Sequence, residues 1–238
     1  MAKKGCLPPM VGSKVKLCGT ASVADRDMAA QAGADWFGVV VEAGFSPRSL
    51  TIEAALPLFF EPPIPAVALV FDMDEARLRQ LIDALSPAAI QFLSPAAPVL
   101  LRRLKGDYPN VELWQSVHLP PAGSEVAFDA VLNSVQGYLT AGIDLLLFDT
   151  AATVAGTKKF GGTGITADWG IIRQVLDRFR GRVPVLLAGG IDPQNAAAGI
   201  EAVRPDGIDL CSGVEAAPGQ RDPVKVADLM AAVRNVNL

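Results

Sequence analysis

Short apolar runs alternate along the chain with longer amphipathic stretches. The apolar runs are rich in Val, Leu, Ile and Ala, which is typical of strands in a buried parallel sheet. Eight of them are predicted to be β-strands, at residues 15–19, 36–41, 66–71, 89–92, 111–117, 144–150, 183–190 and 207–213. Eight amphipathic stretches are predicted to be helices, at residues 23–32, 52–58, 74–85, 95–105, 125–141, 169–180, 193–203 and 223–233.

Capping residues mark several of the predicted helix ends. Asp192 precedes a proline and so does Asp222, and each pair predicts an N-cap followed by proline at the first helical position. Gly33 and Gly142 follow the last apolar positions of two other helices, where glycine commonly ends a helix. These signals set the predicted boundaries between helices and loops.

The strict alternation of strands and helices predicts a parallel sheet that is either open or closed into a barrel. The count of eight favours the closed form, an α/β fold of the (β/α)8 TIM-barrel type. An open dinucleotide-binding sheet would carry G-x-G-x-x-G after its first strand, and VKLCGTAS lacks it. We therefore expect one barrel domain over residues 15–238, preceded by an N-terminal arm of residues 1–14.

Composition agrees with a single barrel and excludes several classes of protein. The length of 238 residues is close to the roughly 250 that such a barrel needs. Half of the residues are hydrophobic and 19% are charged, which excludes an intrinsically disordered chain. The net charge of −4 gives no electrostatic footprint for nucleic acid, so no nucleic-acid partner is expected.

Targeting and cysteine signals point to a reducing compartment. No apolar run approaches the roughly 20 residues of a membrane span, and the N-terminal segment lacks the apolar core of a secretory signal. The three cysteines, Cys6, Cys18 and Cys211, are odd in number and have no metal-ligand spacing. We therefore expect a cytoplasmic protein with no membrane partner, no disulfide framework and no structural zinc.

The carboxyl ends of the strands are where a barrel places its active site. The first strand ends at Cys18, the second leads into a loop that carries Arg48, and the sixth ends at Asp149. If Lys16 and Cys18 point into the barrel, the apolar residues Val15 and Leu17 face the helices, because strand side chains alternate. Cys18 and Asp149 are then expected to face each other across the barrel mouth.

Glycines at the ends of the seventh and eighth strands are candidates for a phosphate site. Gly189 and Gly190 precede a helix, and Ser212 and Gly213 follow the eighth strand. Backbone N–H groups can approach an anion closely at such positions, and these two loops are the usual phosphate site of a barrel. The simpler interpretation is that the glycines only form tight turns.

Six motifs occur in an order and at positions that fit a barrel: KLCG (16–19), FSPRS (45–49), LFDT (147–150), FGGTGITADW (160–169), LAGGIDPQN (187–195) and DLCSGVEAAPGQRDPVK (209–225). The series resembles phosphoribosylanthranilate isomerase, a barrel of the ribulose-phosphate-binding type in tryptophan biosynthesis. The resemblance covers nearly the whole chain and is strongest in its last 90 residues.

The resemblance implies an Amadori rearrangement of N-(5-phosphoribosyl)anthranilate to 1-(2-carboxyphenylamino)-1-deoxyribulose 5-phosphate. Such an enzyme is an aldose–ketose isomerase of the intramolecular oxidoreductase type and needs neither a metal nor an organic cofactor. In this sequence Cys18 matches the general base, Asp149 the general acid and Arg48 the residue that holds the anthranilate carboxylate. The matching residues of the phosphate and substrate site are Gly162, Gly189, Gly190, Ser212 and Gly213.

The implied chemistry sets two requirements on pKa values. Opening of the ribose ring needs a protonated Asp149, so its pKa must rise from the usual value of about 3.9. Removal of the sugar proton needs a Cys18 thiolate, so its pKa must fall from about 8.5. Two groups shifted in opposite directions would form an acid–base pair.

Each residue also has a simpler interpretation. Cys18 could be a small buried hydrophobe, Asp149 could cap a loop, and Arg48 could be a solvated loop side chain. Cys211 is interpreted as a packing residue, and His118, at the end of the fifth strand, as structural or solvated.

The chain departs from the usual family pattern on strands 1, 4 and 5. The fourth strand keeps Gln91 but lacks a following His-Gly, and the fifth ends in WQSVHL. These changes leave open a divergent paralogue that acts on or senses another phosphorylated sugar. A non-catalytic sensor is a third hypothesis, although keeping both Cys18 and Asp149 argues against it. The expected partner is a phosphorylated small molecule, and the chain is expected to be a monomer or homodimer.

Overall fold

Eight parallel strands close into a barrel in the computed structural model, which describes residues 13–154, 157–160 and 165–236. The barrel strands are β1 (Lys14–Leu17), β2 (Trp36–Val40), β3 (Ala66–Val70), β4 (Ala89–Phe92), β5 (Glu112–Leu119), β6 (Leu145–Val154), β8 (Val185–Leu187) and β9 (Gly207–Leu210). Each pairs with the next, and β9 pairs with β1. The predicted closed barrel is confirmed.

Eight α-helices separate the barrel strands and cover the outside. They are α1 (Val23–Ala32), α2 (Ile52–Phe59), α3 (Glu75–Leu85), α4 (Pro98–Asp107), α5 (Phe128–Ala141), α6 (Trp169–Phe179), α7 (Ala196–Val203) and α8 (Pro223–Arg234). In the described part of the chain, no helix has the length and apolarity to cross a membrane. The alternation predicted from the apolar pattern is therefore present.

Strand residues divide between two packed layers as the alternation predicts. Val15 and Leu17 lie in the large core between the barrel and the helices. Cys18 lies in a second cluster inside the barrel, together with Trp114 and Leu147. Lys16 is wholly buried within the barrel as well. The inner layer therefore contains charged groups as well as apolar ones.

Two hairpins extend the barrel where loops were predicted. Strand β6 continues past Asp149 and pairs antiparallel with β7 (Thr157–Phe160) in the glycine-rich segment. After β9, a short 3₁₀ turn (Ser212–Val214) leads into a hairpin of β10 (Glu215–Ala217) and β11 (Gln220–Arg221). The second hairpin matters for function because it carries Glu215 and Arg221 toward the mouth of the barrel.

One of the two N-cap predictions is confirmed and the other is wrong. The carboxylate of Asp222 accepts hydrogen bonds from the first backbone N–H groups of α8, as predicted. Asp192 does not start α7, which begins at Ala196 with Asn195 as its N-cap. The Asp192 carboxylate instead accepts hydrogen bonds from the N–H groups of Gln194 and Asn195 within the loop. A single aspartate can close a turn of this kind without starting a helix.

The start of the barrel differs slightly from the predicted boundary. Strand β1 begins at Lys14, which the prediction had assigned to the N-terminal arm. Residues 1–12 of the predicted arm lie outside the described residues.

Candidate active site

A cavity of about 330 Å³ opens at the carboxyl ends of the barrel strands. Its wall includes seven of the eight predicted site residues: Cys18, Arg48, Asp149, Gly189, Gly190, Ser212 and Gly213. The eighth, Gly162, lies outside the described residues. Five segments of the chain thus bring the predicted residues into one space.

Cys18 immediately follows β1, and its backbone N–H donates to the carbonyl of Leu210 at 2.7 Å. Its side chain is buried and points into the barrel. A hydrogen bond from Cys211 lowers the pKa of the Cys18 thiol, and the positive charge of Lys16 lowers it further against the opposing effect of burial. The direction agrees with the one required of a general base.

A buried ion pair lies directly below Cys18. Lys16 Nζ donates to both carboxylate oxygens of Asp209 at 2.9 Å, and the two residues are paired in the register of β1 and β9. Burial is the largest single effect and lowers the pKa of Lys16. The charges of Asp209 and Cys18 and the hydrogen bonds to them together outweigh burial, and the pKa lies above its usual value. The ammonium therefore stays charged beside the thiol.

Asp149 lies on the opposite wall, in β6. Its Oδ1 accepts a hydrogen bond from the backbone N–H of Thr150 at 2.6 Å. His118, its register partner in β5, places Nε2 3.9 Å from Asp149 Oδ2. Burial raises the pKa of Asp149 to about 7, and the Thr150 hydrogen bond is the largest effect in the other direction. This is the direction that a general acid requires.

Arg48 lies on the loop between β2 and α2 and is held by the second hairpin. Its Nε donates to Glu215 Oε1 at 2.7 Å, and Nη2 donates to Oε2 of the same carboxylate. Gly219 N–H also donates to Glu215, at 2.9 Å. A bidentate carboxylate of this kind fixes the plane of a guanidinium. Arg48 is thus a mostly buried, oriented side chain of the cavity wall.

The glycines of the cavity wall have conformations that exclude other residues. Gly189 and Gly190 have φ values of 80° and 66°. A Cβ at Gly189 would lie 2.6 Å from the backbone nitrogen of Thr150, and one at Gly190 would lie 2.6 Å from the carbonyl carbon of Ile165. A Cβ at Gly213 would overlap the carbonyl oxygen of Ile191. These turns require glycine whether or not a ligand binds. They also bring backbone groups next to the cavity.

Polar and aromatic residues complete the cavity. Gln91 lies in the wall, and its Nε2 donates to Ser116 Oγ at 3.0 Å. At the rim, half-exposed Phe45 packs edge-on against Phe71, with ring centroids 4.9 Å apart. The cavity thus has a polar floor and an aromatic edge beside Arg48.

Residues 15–232 match the family described as N-(5'phosphoribosyl)anthranilate (PRA) isomerase. The chain belongs to this family. A PRA isomerase of Methanocella arvoryzae is 34% identical over 225 residues, which are 93% of this chain and 98% of that one. A PRA isomerase of Methanosarcina mazei is 32% identical, over 94% of this chain and 96% of that one.

A solved structure supports the same fold for this member of the PRA isomerase family. The structure of N-(5'-phosphoribosyl)anthranilate isomerase from Pyrococcus furiosus aligns with a TM-score of 0.76 at 24% identity. The alignment covers 94% of this chain and all of that one. At this level of identity the likeness concerns the fold.

Several charged groups of this PRA isomerase family member were not predicted from the sequence. Asp209 and Glu215 lie in a quoted motif but had no assigned role. Arg221 is buried, and its Nη2 donates to the carbonyls of Leu17 and Cys18, each at 2.9 Å. One signal was present, because a lysine that points into a barrel requires a buried carboxylate partner. Cys211, expected only to pack, lies against the Cys18 thiol in the cavity wall.

Proposed function

We propose that the protein catalyses the Amadori rearrangement of N-(5-phosphoribosyl)anthranilate in tryptophan biosynthesis, as an aldose–ketose isomerase of the intramolecular oxidoreductase type. The observation that carries the proposal is that one cavity holds a carboxyl with a raised pKa and a thiol with a lowered pKa. A neutral acid and an anionic base are the two groups that the reaction needs at neutral pH.

In the first step, Asp149 donates its proton to the oxygen of the ribose ring. The bond between C1 and that oxygen breaks, and the nitrogen lone pair forms a C1=N⁺ iminium. Asp149 is left as a carboxylate, which the Thr150 N–H stabilises. The dry surroundings of Asp149 favour its neutral form before the step, so the proton is held until it is needed.

In the second step, the Cys18 thiolate removes the proton from C2. The C–H electrons form a C1=C2 bond and the iminium electrons return to nitrogen, which gives an enolamine. The enolamine then tautomerises: C1 takes up a proton, the C2 hydroxyl releases its proton to water, and C2 becomes the ketone. Lys16, charged and next to Cys18, offsets the negative charge of the thiolate. The proton transfer to the ring oxygen and the proton transfer from C2 both use side chains, so the proposal includes no metal and no cofactor.

Two further groups would hold the ends of the substrate. Arg48 is proposed to bind the anthranilate carboxylate, because a guanidinium has five donors and Glu215 engages two of its nitrogens. The backbone around Gly189, Gly190, Ser212 and Gly213 is proposed to bind the phosphate, with Gly162 as a further contact. The positive φ angles at Gly189 and Gly190 support this, since they bring the chain close to the cavity.

The alternatives are not favoured by the comparisons. Relatives that match more than nine-tenths of the chain are named PRA isomerases. A paralogue for another phosphorylated sugar, or a sensor, therefore has no specific observation behind it. A cytoplasmic location and a monomeric or homodimeric state remain part of the proposal, the first supported by the free thiols of Cys18 and Cys211.

Direct turnover tests the proposal. Purified protein would be mixed with freshly generated phosphoribosylanthranilate, and the loss of substrate fluorescence would be followed together with formation of the ketose product. We expect saturable turnover that does not change when a chelator is added. Folded protein that binds the substrate or inorganic phosphate without turnover would contradict the proposal and favour the sensor.

A further inference from the structure

Two thiols lie side by side at the mouth of the barrel, one on each of two neighbouring strands. The register of β1 and β9 pairs Leu17 with Leu210. The hydrogen bond from Cys18 N–H to the Leu210 carbonyl continues that ladder by one residue. Cys18 and Cys211 therefore occupy directly opposed positions.

This register gives a backbone separation that suits a disulfide. Paired positions on neighbouring strands lie about 4.8 Å apart, within the roughly 4.4–6.8 Å between Cα atoms that disulfides require. Both side chains point to the same side, because both line the cavity. The two thiols also affect each other directly, since Cys211 lowers the pKa of Cys18 and Cys18 raises the pKa of Cys211. A sulfur–sulfur bond could thus form without separation of the strands.

The surroundings favour oxidation of Cys18 first. Cys18 is 7% exposed, but it lies on the wall of an open cavity that a small reagent can enter. Lys16 stabilises a negative sulfur at this position, whereas Cys211 acts as the hydrogen-bond donor. A thiolate attacks peroxides, and a neighbouring thiol can then resolve the product.

We propose that Cys18 and Cys211 form an oxidative modification site for small hydroperoxides, at which peroxide converts the two thiols into a disulfide and removes the general base. The loss of turnover rests on the proposed function, whereas formation of the disulfide rests on the geometry alone.

The chemistry is balanced with hydrogen peroxide as the oxidant. The Cys18 thiolate attacks one peroxide oxygen, the O–O bond breaks, Cys18 becomes a sulfenic acid and hydroxide leaves. That hydroxide takes the proton of Cys211 and forms water. The Cys211 thiolate attacks the Cys18 sulfur, the S–S bond forms and a second hydroxide leaves. Both sulfurs are oxidised, and both peroxide oxygens are reduced to the level of water.

The test uses the full chain with Cys6→Ser, which leaves only these two cysteines. Reduced protein would be treated with increasing hydrogen peroxide, blocked with an alkylating agent and analysed by mass spectrometry of its peptides. We expect a linked pair of peptides that contain Cys18 and Cys211, with two hydrogens lost. Turnover should fall in proportion to the linked fraction and return after treatment with a phosphine reductant.

Cys211→Ser in the same background is the matched variant, and it keeps a hydroxyl donor beside Cys18. Each variant is compared with its own untreated activity, and circular dichroism checks that it is folded. Without a resolving thiol, we expect Cys18 to pass to the sulfinic acid and at least half of the lost turnover to resist reduction. If the serine variant does not fold, Cys211→Ala serves the same purpose.

The possible outcomes separate the two proposals. Oxidation of Cys18 to the sulfinic acid in protein that retains Cys211, with no linked peptides, would overturn the modification site. Linked peptides with unchanged turnover would support the site and contradict the role of Cys18 as general base.

Discussion

The two walls of the cavity shift proton affinity in opposite directions by different means. Around Asp149 the dominant effect is burial, which disfavours a carboxylate, and the pKa rises to about 7. Around Cys18 burial also disfavours the anion, yet a thiol donor and the ammonium of Lys16 favour it and the pKa falls. Burial alone therefore does not decide the protonation state.

The difference shows how one small cavity can hold both an acid and a base. The wall with Cys18 contains an ion pair and two buried cations, Lys16 and Arg221. The wall with Asp149 supplies one short backbone hydrogen bond and a histidine 3.9 Å away. Charged groups placed on only one side keep the two proton affinities apart.

The largest expected effect is on the Asp149 wall. Asp149→Asn keeps the shape but cannot donate the proton, and general acid catalysis is worth roughly 10²–10⁴-fold, so we expect kcat to fall by about 10³-fold. Steady-state kinetics measures the change. Asp168→Asn, which changes the N-cap of α6 outside the cavity wall, is the matched control and should keep most of its turnover. If Asp149→Asn keeps its activity, Asp149 is not the general acid.

The Cys18 wall can be altered through its ion pair. Lys16→Met leaves the Asp209 carboxylate buried without its partner, which costs about 3–5 kcal/mol of unfolding free energy. Urea denaturation measures that loss. The same variant should raise the pKa of Cys18, seen as a shift of its alkylation rate to higher pH, because the nearby positive charge is gone.

The double variant Lys16→Met with Asp209→Leu is the control for this wall. It should recover most of the stability, because the carboxylate left without a partner is gone as well, but it should not recover the low pKa of Cys18. If alkylation of Cys18 has the same pH dependence in all three proteins, Lys16 does not tune the thiol.

The raised pKa of Asp149 should make the free energy of unfolding depend on pH. An unfolded aspartate loses its proton near pH 4, whereas folded Asp149 holds its proton to about 7. The folded state therefore binds more protons in this window, and the stability that this residue contributes is lost as the pH rises from 4 to 7. Asp149→Asn lacks this penalty. Above pH 7 the free energy of unfolding of the variant should therefore exceed that of the unmodified protein by at most about 4 kcal/mol. Paired urea titrations from pH 4.5 to 8 measure it, and a constant difference across that range would contradict the assigned cause.

The smallest effect is expected at the rim that joins the two walls. Arg48→Ala removes a charged donor worth about 1.5–3 kcal/mol, so we expect KM to rise roughly 10–100-fold with a smaller change in kcat. Arg48→Lys keeps the charge but cannot make the same bidentate contact. Its KM should therefore lie between those of the unmodified protein and Arg48→Ala. A drop in kcat with unchanged KM would show that Arg48 does not bind the carboxylate.

Much of the site could be predicted because its residues follow local rules. Strand side chains alternate and barrel sites lie at the carboxyl ends, and these two facts place Cys18 and Asp149 in one cavity. The partners follow no local rule. Lys16 and Asp209 are 193 positions apart, and Arg48 and Glu215 are 167 apart. Only closure of the barrel determines which of many charged residues meet.

The wrong prediction at Asp192 has a similar origin. An aspartate before a proline can begin a helix or close a turn, and the choice depends on the rest of the loop. Here Asn195 donates to the Gly190 carbonyl at 2.8 Å and accepts from Asp192 N–H at 3.0 Å. The loop that carries the candidate phosphate glycines thus delays the start of α7.

The pairing of β1 with β9 has a consequence for protein synthesis. The wall around Cys18 needs Asp209, Cys211 and Arg221, which are all synthesised long after Cys18. Contacts of such long sequence separation form late. A growing chain that already exposes Cys18 therefore lacks the groups that activate it. The thiol is therefore activated only after the chain has been synthesised at least as far as Arg221.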